Sequence, residues 1–302
     1  MKVLITGATG LVGKEIVKQC LQNSIAVNYL TTSKQKIVTK ERYNGFYWNP
    51  SYNEIDISCF NGVTAIINLA GSSIVKRWTA NNKKEILESR INSLKTLRLG
   101  LDKVDTSLIT SFVSASAIGI YPNSITNYYT EKEKAVDESF LGKVVDLWEK
   151  EVDTFKGYNF SLSKVRIGLV MSKNGGALPM LIKPVKYYVG SALGTGKQWQ
   201  SWIHVTDLAR MFLFICNNKL EGVYNGVGPN PVSNAKLVSK IASVLKKPVF
   251  FPNVPKFIMY LVLGKMAYLL FVSQRVSSKK IEKEGFVFKY PNVCLALEKI
   301  TS

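Results

Sequence analysis

Apolar residues along this chain follow two alternating rhythms. Short unbroken runs, such as Val3 to Ile5, give way to longer stretches in which apolar positions return every three or four residues. A short apolar run bounded by glycine reads as a buried strand, and the longer spacing as one face of a helix. Strands are therefore expected at residues 2–6, 26–30, 65–68, 111–116 and 162–167, and helices at 11–20, 80–101 and 140–155. Phe46 to Trp48 would add a short edge strand, and the polar stretch from Pro122 to Asp137 a long loop or hairpin. Strands alternating with helices predict an α/β fold, a doubly wound and mostly parallel sheet. The apolar stretch Phe257 to Val272, interrupted by Gly264 and Lys265, is short for a bilayer span and is expected as a buried C-terminal helix, with contact to a membrane surface as the alternative.

Between the first strand and the first helix the chain reads TGATGLVG, with Gly7, Gly10 and Gly13 spaced G-x-x-G-x-x-G. A glycine turn opening onto a helix lets a pyrophosphate approach backbone N–H groups where Cβ atoms would block it, and the helix dipole favours the negative charge. Gly7, Thr9, Gly10, Leu11, Val12 and Gly13 are the candidate cradle. The residues after the second strand choose between dinucleotides. An NAD site places a carboxylate there for the ribose hydroxyls, but no acidic residue occurs between Glu15 and Glu41. Thr31, Thr32, Ser33 and Lys34 suit a 2′-phosphate instead, so NADP(H) is expected over NAD(H). After the 65–68 strand, Ala70 and Gly71 would let the chain pass beneath the cofactor while Asn68 fixes the backbone beside it; by themselves they read equally as a strand that turns at Gly71. Ser114 and Ser116 share one face of the next strand, at the end where ligands bind in such folds, and one of them is expected to face the nicotinamide.

The second half supplies candidate substrate contacts. Gly175 to Pro179 reads as a flexible entrance followed by a helix, and Gly194 to Ile203 brings together Lys197, Gln198, Trp199 and Trp202. Gly176, Lys197, Gln198, Trp199 and Trp202 are the candidates. His204 is expected as a core group, Asp207 near a helix N-cap, and Asn234 as the cap of the helix running to Leu245. Arg275 would either hold an anionic group or lie unpaired on the surface.

Composition excludes more than it selects. With 46% hydrophobic and 20% charged residues over 302 positions, the chain can bury a full core and is not disordered. Its net charge of +19 invites a nucleic-acid reading, but the lysines are scattered and no helix-turn-helix, RNP-like or zinc-finger pattern accompanies them. A small-molecule substrate is expected, with no nucleic acid and no membrane as partner; the oligomeric state stays open. One histidine and four widely separated cysteines argue against a metal site and for reduced thiols. The first strand begins at once, which leaves no room for a leader and makes the cytoplasm the expected compartment.

The order TGATGLVG, NLAG, SASA and VRIGLV, followed by GGALP and GTGKQWQSWIHVTDL, resembles the extended short-chain dehydrogenase/reductase superfamily. The segments WTANNKKEILESRINSLKTL, GTGKQWQSWIH, NPVSNA and SQRV resemble its atypical epimerase family protein branch, and the likeness covers nearly the whole chain. The resemblance implies a Rossmann domain over residues 1–169, a smaller substrate-binding lobe over 170–302, and NADP as cofactor. It also implies that Thr31, Thr32, Leu69, Ala70, Glu85, Arg90 and Ile167 surround that cofactor, although Glu85 and Arg90 read by themselves as a solvated helix face. Many relatives carry arginine where Thr32 stands, which shifts the expected 2′-phosphate contact to Ser33 and Lys34. The superfamily's chemistry needs a Tyr-x-x-x-Lys pair, in which the lysine lowers the tyrosine pKa for proton transfer. Here the matching positions are Phe140 and Val144. A literal match, Tyr128 to Lys132, lies in the polar loop, and Ser116, Tyr121 and Lys143 are other candidates. Two functions follow from the same residues: NADP(H)-dependent oxidoreduction or epimerisation of a small carbonyl or sugar-nucleotide-like compound, or NADP(H) binding alone, as a redox sensor or scaffold.

Overall fold

A computed structural model describes residues 1–301. Seven parallel strands form its central sheet: β1 (Lys2–Thr6), β2 (Ala26–Thr31), β3 (Tyr43–Asn49), β4 (Ala65–Asn68), β5 (Ser111–Ala117), β6 (Ser161–Ile167) and β7 (Gly222–Gly226). Their spatial order is 3-2-1-4-5-6-7, with the short strands 39–40 and 54–55 antiparallel to β3. The order reverses between β1 and β4, the point at which such sheets open a crevice at their strand C-termini.

The helices of the chain include α1 (Leu11–Gln22), α2 (Ala80–Leu101), α3 (Phe140–Asp153), α4 (Leu178–Lys186), α5 (Val205–Asn217), α6 (Asn234–Val244) and α7 (Lys256–Leu263). Helix α1 packs on α5 and α2 on α3, so the strands are covered by helices and read as continuous apolar runs rather than alternating ones. Val3, Leu4, Ile5, Ile66, Ile67, Phe112 and Val113 are fully buried in this core. The stretch expected as a short edge strand at 46–48 is longer and closes the parallel set as β3, paired with β2 over 43–47.

The chain does not divide cleanly at residue 170. Residues 169–172, 175–176 and 202–204 form a small separate sheet, and α4, α6 and the helix 293–301 pack around a second core that includes Met171, Trp202, Leu237 and Leu297. Between these pieces, residues 205–226 return to the first unit, α5 against α1 and β7 beside β6 from Gly222↔Ser163 to Gly226↔Ile167. The central sheet thus draws its last strand from the expected lobe. The expected buried helix at 257–272 is also corrected, because α7 has no buried residue and the chain breaks at Gly264 before a single turn at 268–271.

Candidate functional site

The C-terminal ends of the strands, where such sheets open a crevice, carry candidate ligand contacts at two ends that differ. At the first end β1 turns through Gly7, whose φ of +69° is a left-handed value that glycine alone adopts without cost. A Cβ on Gly13 would lie 2.2 Å from the Gly7 carbonyl oxygen, so α1 rests directly on the turn. Gly10 is the helix N-cap and offers no side chain; the first helical bond is Lys14 N–H to Gly10 O at 2.9 Å. The amides of Leu11, Val12 and Gly13 find no acceptor among the described residues. Three unpaired donors at a helix start suit an anion.

A buried chain of hydrogen bonds holds this turn against its neighbours. Thr6 Oγ1 accepts from the amides of Leu69 and Ala70, both at 3.0 Å, and donates to Asn68 Oδ1 at 2.7 Å. Asn68 Nδ2 donates to Ser114 Oγ at 3.1 Å, and Ser114 passes its own proton to the Ala115 carbonyl. Ser114, expected near a nicotinamide, is instead fully buried and ties the ends of β1, β4 and β5 together. At the end of β2, Thr31 is buried and accepts from Ser33 N–H at 3.2 Å, while Thr32 and Lys34 are exposed. The Lys34 ammonium lies 5.0 Å above the Tyr47 ring.

Arg90 reaches from α2 across Gly71, where a Cβ would stand 3.1 Å from the guanidinium carbon. It donates to Ile86 O at 2.7 Å and to Ser72 O, and lies 5.1 Å over the Trp148 ring. Burial lowers its pKa to about 10, and it pairs with no carboxylate among the described residues. It remains a cation at neutral pH with its charge uncompensated. Glu85, one turn and a half earlier on α2, is bound to Lys76 at 2.7 Å and is half exposed.

The second end is a cavity of about 210 Å³, lined by Arg90, Ala117, Leu141, Val144, Trp148, Ile167, Trp199 and Tyr268 among others. The strand end presents Ala117 to it. Side chains alternate along a strand, so Ser116 points the other way, and its Oγ donates to Glu149 Oε1 at 2.6 Å. Glu149 accepts two bonds from Arg166, at 2.8 and 2.9 Å, and Arg166 also donates to the Tyr121 hydroxyl at 3.0 Å. Tyr121 in turn donates to Asn225 Oδ1 at 2.7 Å; it is fully buried, and burial pushes its pKa up to about 12. Ser116 and Tyr121, both candidates for catalysis, are therefore members of a buried polar network behind the cavity wall.

The other candidates are placed as follows. Val144 lines the cavity, but Phe140 turns to Trp78, 5.3 Å away, and Lys143 is exposed. Tyr128 sits on a two-residue strand beside Arg275 and Val276, with the Arg275 guanidinium 5.1 Å from its ring, and faces a separate surface hollow together with Lys132 and Lys280. Trp199 does reach the cavity, its indole N–H held by Ile125 O at 3.0 Å. Gln198 is buried and donates to the carbonyls of Leu193 and Leu270. Trp202 is fully buried in the second core and donates to Asn230 O. Lys197 is exposed, and Gly176 lies at the phosphate end, where a Cβ would touch Leu11 at 3.4 Å. His204 is itself the cap of α5, its Nδ1 accepting from Thr206 N–H at 3.1 Å. Asp207 accepts from the amides of Lys289 and Tyr290, tying down the C-terminal segment. Ser233 caps α6, and Asn234 Oδ1 accepts from Leu193 N–H.

Sequence reasoning missed Tyr268, the single phenol lining the cavity. Its hydroxyl lies 3.0 Å from both Asp137 carboxylate oxygens, and burial followed by that carboxylate pushes its pKa up to about 12. No motif marks it, because Asp137 and Tyr268 are 131 residues apart. Among the described residues no cluster could hold a metal ion and no helix is long and apolar enough to cross a membrane.

A doubly wound sheet whose first strand feeds a glycine turn and an uncapped helix start is a Rossmann-type nucleotide-binding fold. The chain belongs to the NAD dependent epimerase/dehydratase family, whose profile matches residues 3–227, and residues 254–300 match a domain of unknown function (DUF1731). It is 35% identical over 304 residues to an epimerase family protein of Staphylococcus epidermidis, covering 99% of this chain and 98% of that one. The crystal structure of human epimerase family protein SDR39U1 (isoform2) with NADPH superposes with a TM-score of 0.86 at 25% identity, covering 99% of each chain. UDP-glucuronic acid 4-epimerase from Bacillus cereus, in complex with UDP-glucuronic acid and NAD, shares the fold at a TM-score of 0.79 and 15% identity, covering 99% of this chain and 98% of that one. The chain is an extended short-chain dehydrogenase/reductase of the epimerase family protein branch.

Proposed function

We propose that this protein binds NADP(H) across these strand ends and uses it to oxidise, reduce or epimerise a small, largely apolar carbonyl compound in the cytoplasm. The observation that carries the reading is the seat at the start of α1, three amides without acceptors on a turn that tolerates no Cβ. Leu11, Val12 and Gly13, with Thr9 beside them, would hold the pyrophosphate. Thr32, Ser33 and Lys34 would hold the 2′-phosphate, which the acid-free end of β2 favours. Leu69, Ala70, Arg90 and Ile167 would border the nicotinamide half. The NADPH in the human relative's structure supports the same choice.

Bound NADPH would supply the hydride. The chain's own contribution is a small cavity with a phenol in its wall. Its volume of about 210 Å³ is below the ~300–1,000 Å³ of ordinary ligand pockets. Its polar groups are largely engaged: Gln274 donates to Tyr121 O, and Ser201 donates to Gln274 O at 2.8 Å. Few partners remain for sugar hydroxyls, which favours an apolar carbonyl over a sugar nucleotide. Tyr268 keeps its proton throughout the neutral range, donated in this structure to Asp137, and would have to turn from that carboxylate to donate it to a carbonyl oxygen. The substrate-binding role falls to the lobe between residues 170 and 302, which contributes Trp199, Gln200, Ser201 and Tyr268 to the wall.

Phe140 and Val144, which stand where superfamily chemistry expects its tyrosine and lysine, favour a second reading, in which NADP(H) binding without turnover is the function. Titration of NADPH and NADH by fluorescence, followed by a carbonyl panel, tests both. Preference for NADPH by roughly 10- to 100-fold is expected from one charged hydrogen bond to the 2′-phosphate; equal affinities would remove the assignment. Turnover that falls by about 10²–10⁴ in Tyr268→Phe with nucleotide affinity unchanged would establish the enzyme reading. NADPH binding with no turnover on any carbonyl would establish the sensor.

A further inference from the structure

We infer that the C-terminal lobe docks on an anionic membrane surface, with the segment from Phe250 to Val262 lying at the level of the lipid headgroups. Helix α7 carries Phe257, Ile258, Met259, Leu261, Val262 and Leu263, yet none of its residues is buried. Phe250, Phe257 and Leu261 are 72, 71 and 82% exposed. A helix apolar on all sides belongs in a core or against lipid. A neighbouring strip of chain widens the surface. Val254 donates to Ala192 O at 2.9 Å, Gly194 donates to Val254 O at 2.8 Å, and Ser191 Oγ donates to Pro252 O at 2.6 Å. These bonds join the stretch just after exposed Tyr187, Tyr188 and Val189 to the stretch just after exposed Phe250 and Phe251. Tyr260 stacks on Phe271, with Lys256 over both rings, so the patch has a defined shape. Soluble monomers rarely expose a contiguous apolar surface of this kind.

Charge identifies the occupant. Lys246, Lys247, Lys256 and Lys265 lie within or beside the patch, Lys183 and Lys186 border it, and no acidic residue occurs between Glu221 and Glu282. Residues 170–302 hold 18 Lys and Arg against 5 Asp and Glu, a net +13 of the chain's +19. A second copy of this chain would bring the same positive rim and be repelled. An anionic bilayer offers phosphates to the lysines and hydrocarbon to the phenylalanines. At eight residues α7 is far too short to span and would lie in the interface plane. The same stretch continues into Tyr268, Leu269 and Val272, which line the cavity, so docking would set the cavity close to the lipid surface.

Cosedimentation of the full chain with vesicles tests the proposal, using phosphatidylcholine alone and phosphatidylcholine mixed with phosphatidylglycerol. Binding is expected to the mixed vesicles only. It should weaken between about 0.1 M and about 1 M salt, as the Debye length shortens from ~10 to ~3 Å. Leu261→Asp should weaken it at least tenfold, and Lys246→Glu with Lys247→Glu about fivefold per charge removed or more, each with an unchanged thermal midpoint. If Leu261→Asp fails to fold, Phe250→Ala with Phe251→Ala, outside any helix, takes its place with the same expectation. No binding to the mixed vesicles overturns the proposal. So does binding that survives loss of the apolar side chains, which would be simple charge attraction. Self-association in the ultracentrifuge without lipid, abolished by Leu261→Asp, would show a protein interface instead and overturn it as well.

Discussion

The two ends of the candidate site are made from the same material, the C-terminal ends of parallel strands, but they treat polar groups in opposite ways. At the phosphate end, the amides of Leu11, Val12 and Gly13 and the side chains of Thr32 and Lys34 are left for a ligand. At the reacting end, Ser116, Tyr121, Ser201 and Gln274 spend their hydrogen bonds on neighbouring residues, and the cavity is walled by Ala117, Leu141 and Val144. On the proposed reading, the contrast would make nucleotide binding and proton chemistry separable in this fold. A seat for phosphate needs only backbone donors, whereas acid–base catalysis needs particular side chains at particular positions.

That comparison can be broken from either side. The largest effect is expected behind the reacting end, where Arg166→Met would leave the Glu149 carboxylate buried without its two hydrogen bonds. Loss of one partner from such a pair costs about 3–5 kcal/mol, and chemical denaturation should show it, with NADPH affinity of the folded protein little changed. A cost near zero would mean that the network is not structural. At the phosphate end, Gly13→Ala forces a methyl group to within 2.2 Å of the Gly7 carbonyl. Displacing α1 should cost about 1–3 kcal/mol and abolish nucleotide binding in a fluorescence titration; unimpaired binding would show that the turn is not the cradle.

The smallest effect sharpens the contrast away from both ends. Burial holds the His204 imidazole below its usual value, outweighing the pull of Asp207 and Glu15. The unfolded chain takes up its proton near pH 6.5, and the folded chain only at lower pH. Stability from this group is therefore complete above about pH 6.5 and declines as the pH falls below it. His204→Ala should cost about 1 kcal/mol through the lost cap and flatten that acid-side decline. Urea midpoints for both proteins between about pH 7 and about pH 5 would check it, and parallel curves would sink the assignment.

Much of the frame was legible in the residues themselves. Strand 2–6, strand 65–68 and helix 80–101 stand where the apolar rhythm puts them, because each is set by local spacing. Site residues were harder to read wherever one residue of register or one long-range contact decided the outcome. Ser114 and Ser116 do share a face, but that face looks into the protein, and Ala117 beyond them looks into the cavity. Gln198 and Trp202 carry the chemistry of ligand contacts and use it on the carbonyls of Leu193, Leu270 and Asn230. The run 257–272 has the composition of a core helix, and nothing in its own residues reports that α7 is left without a buried residue.

By itself the sequence determined the glycine turn and the helix start behind it. Glycine spacing, a helix start without a capping side chain and a stretch without acids are all properties of neighbouring residues, and the backbone conformation they impose is local. Only the tertiary structure decided the reacting end and the exposed lobe surface. The cavity gathers Arg90, Ala117, Val144, Trp199 and Tyr268 from across the chain. Which side of a strand or helix faces an opening depends on what packs behind it, and that is a contact between distant segments that no local pattern encodes.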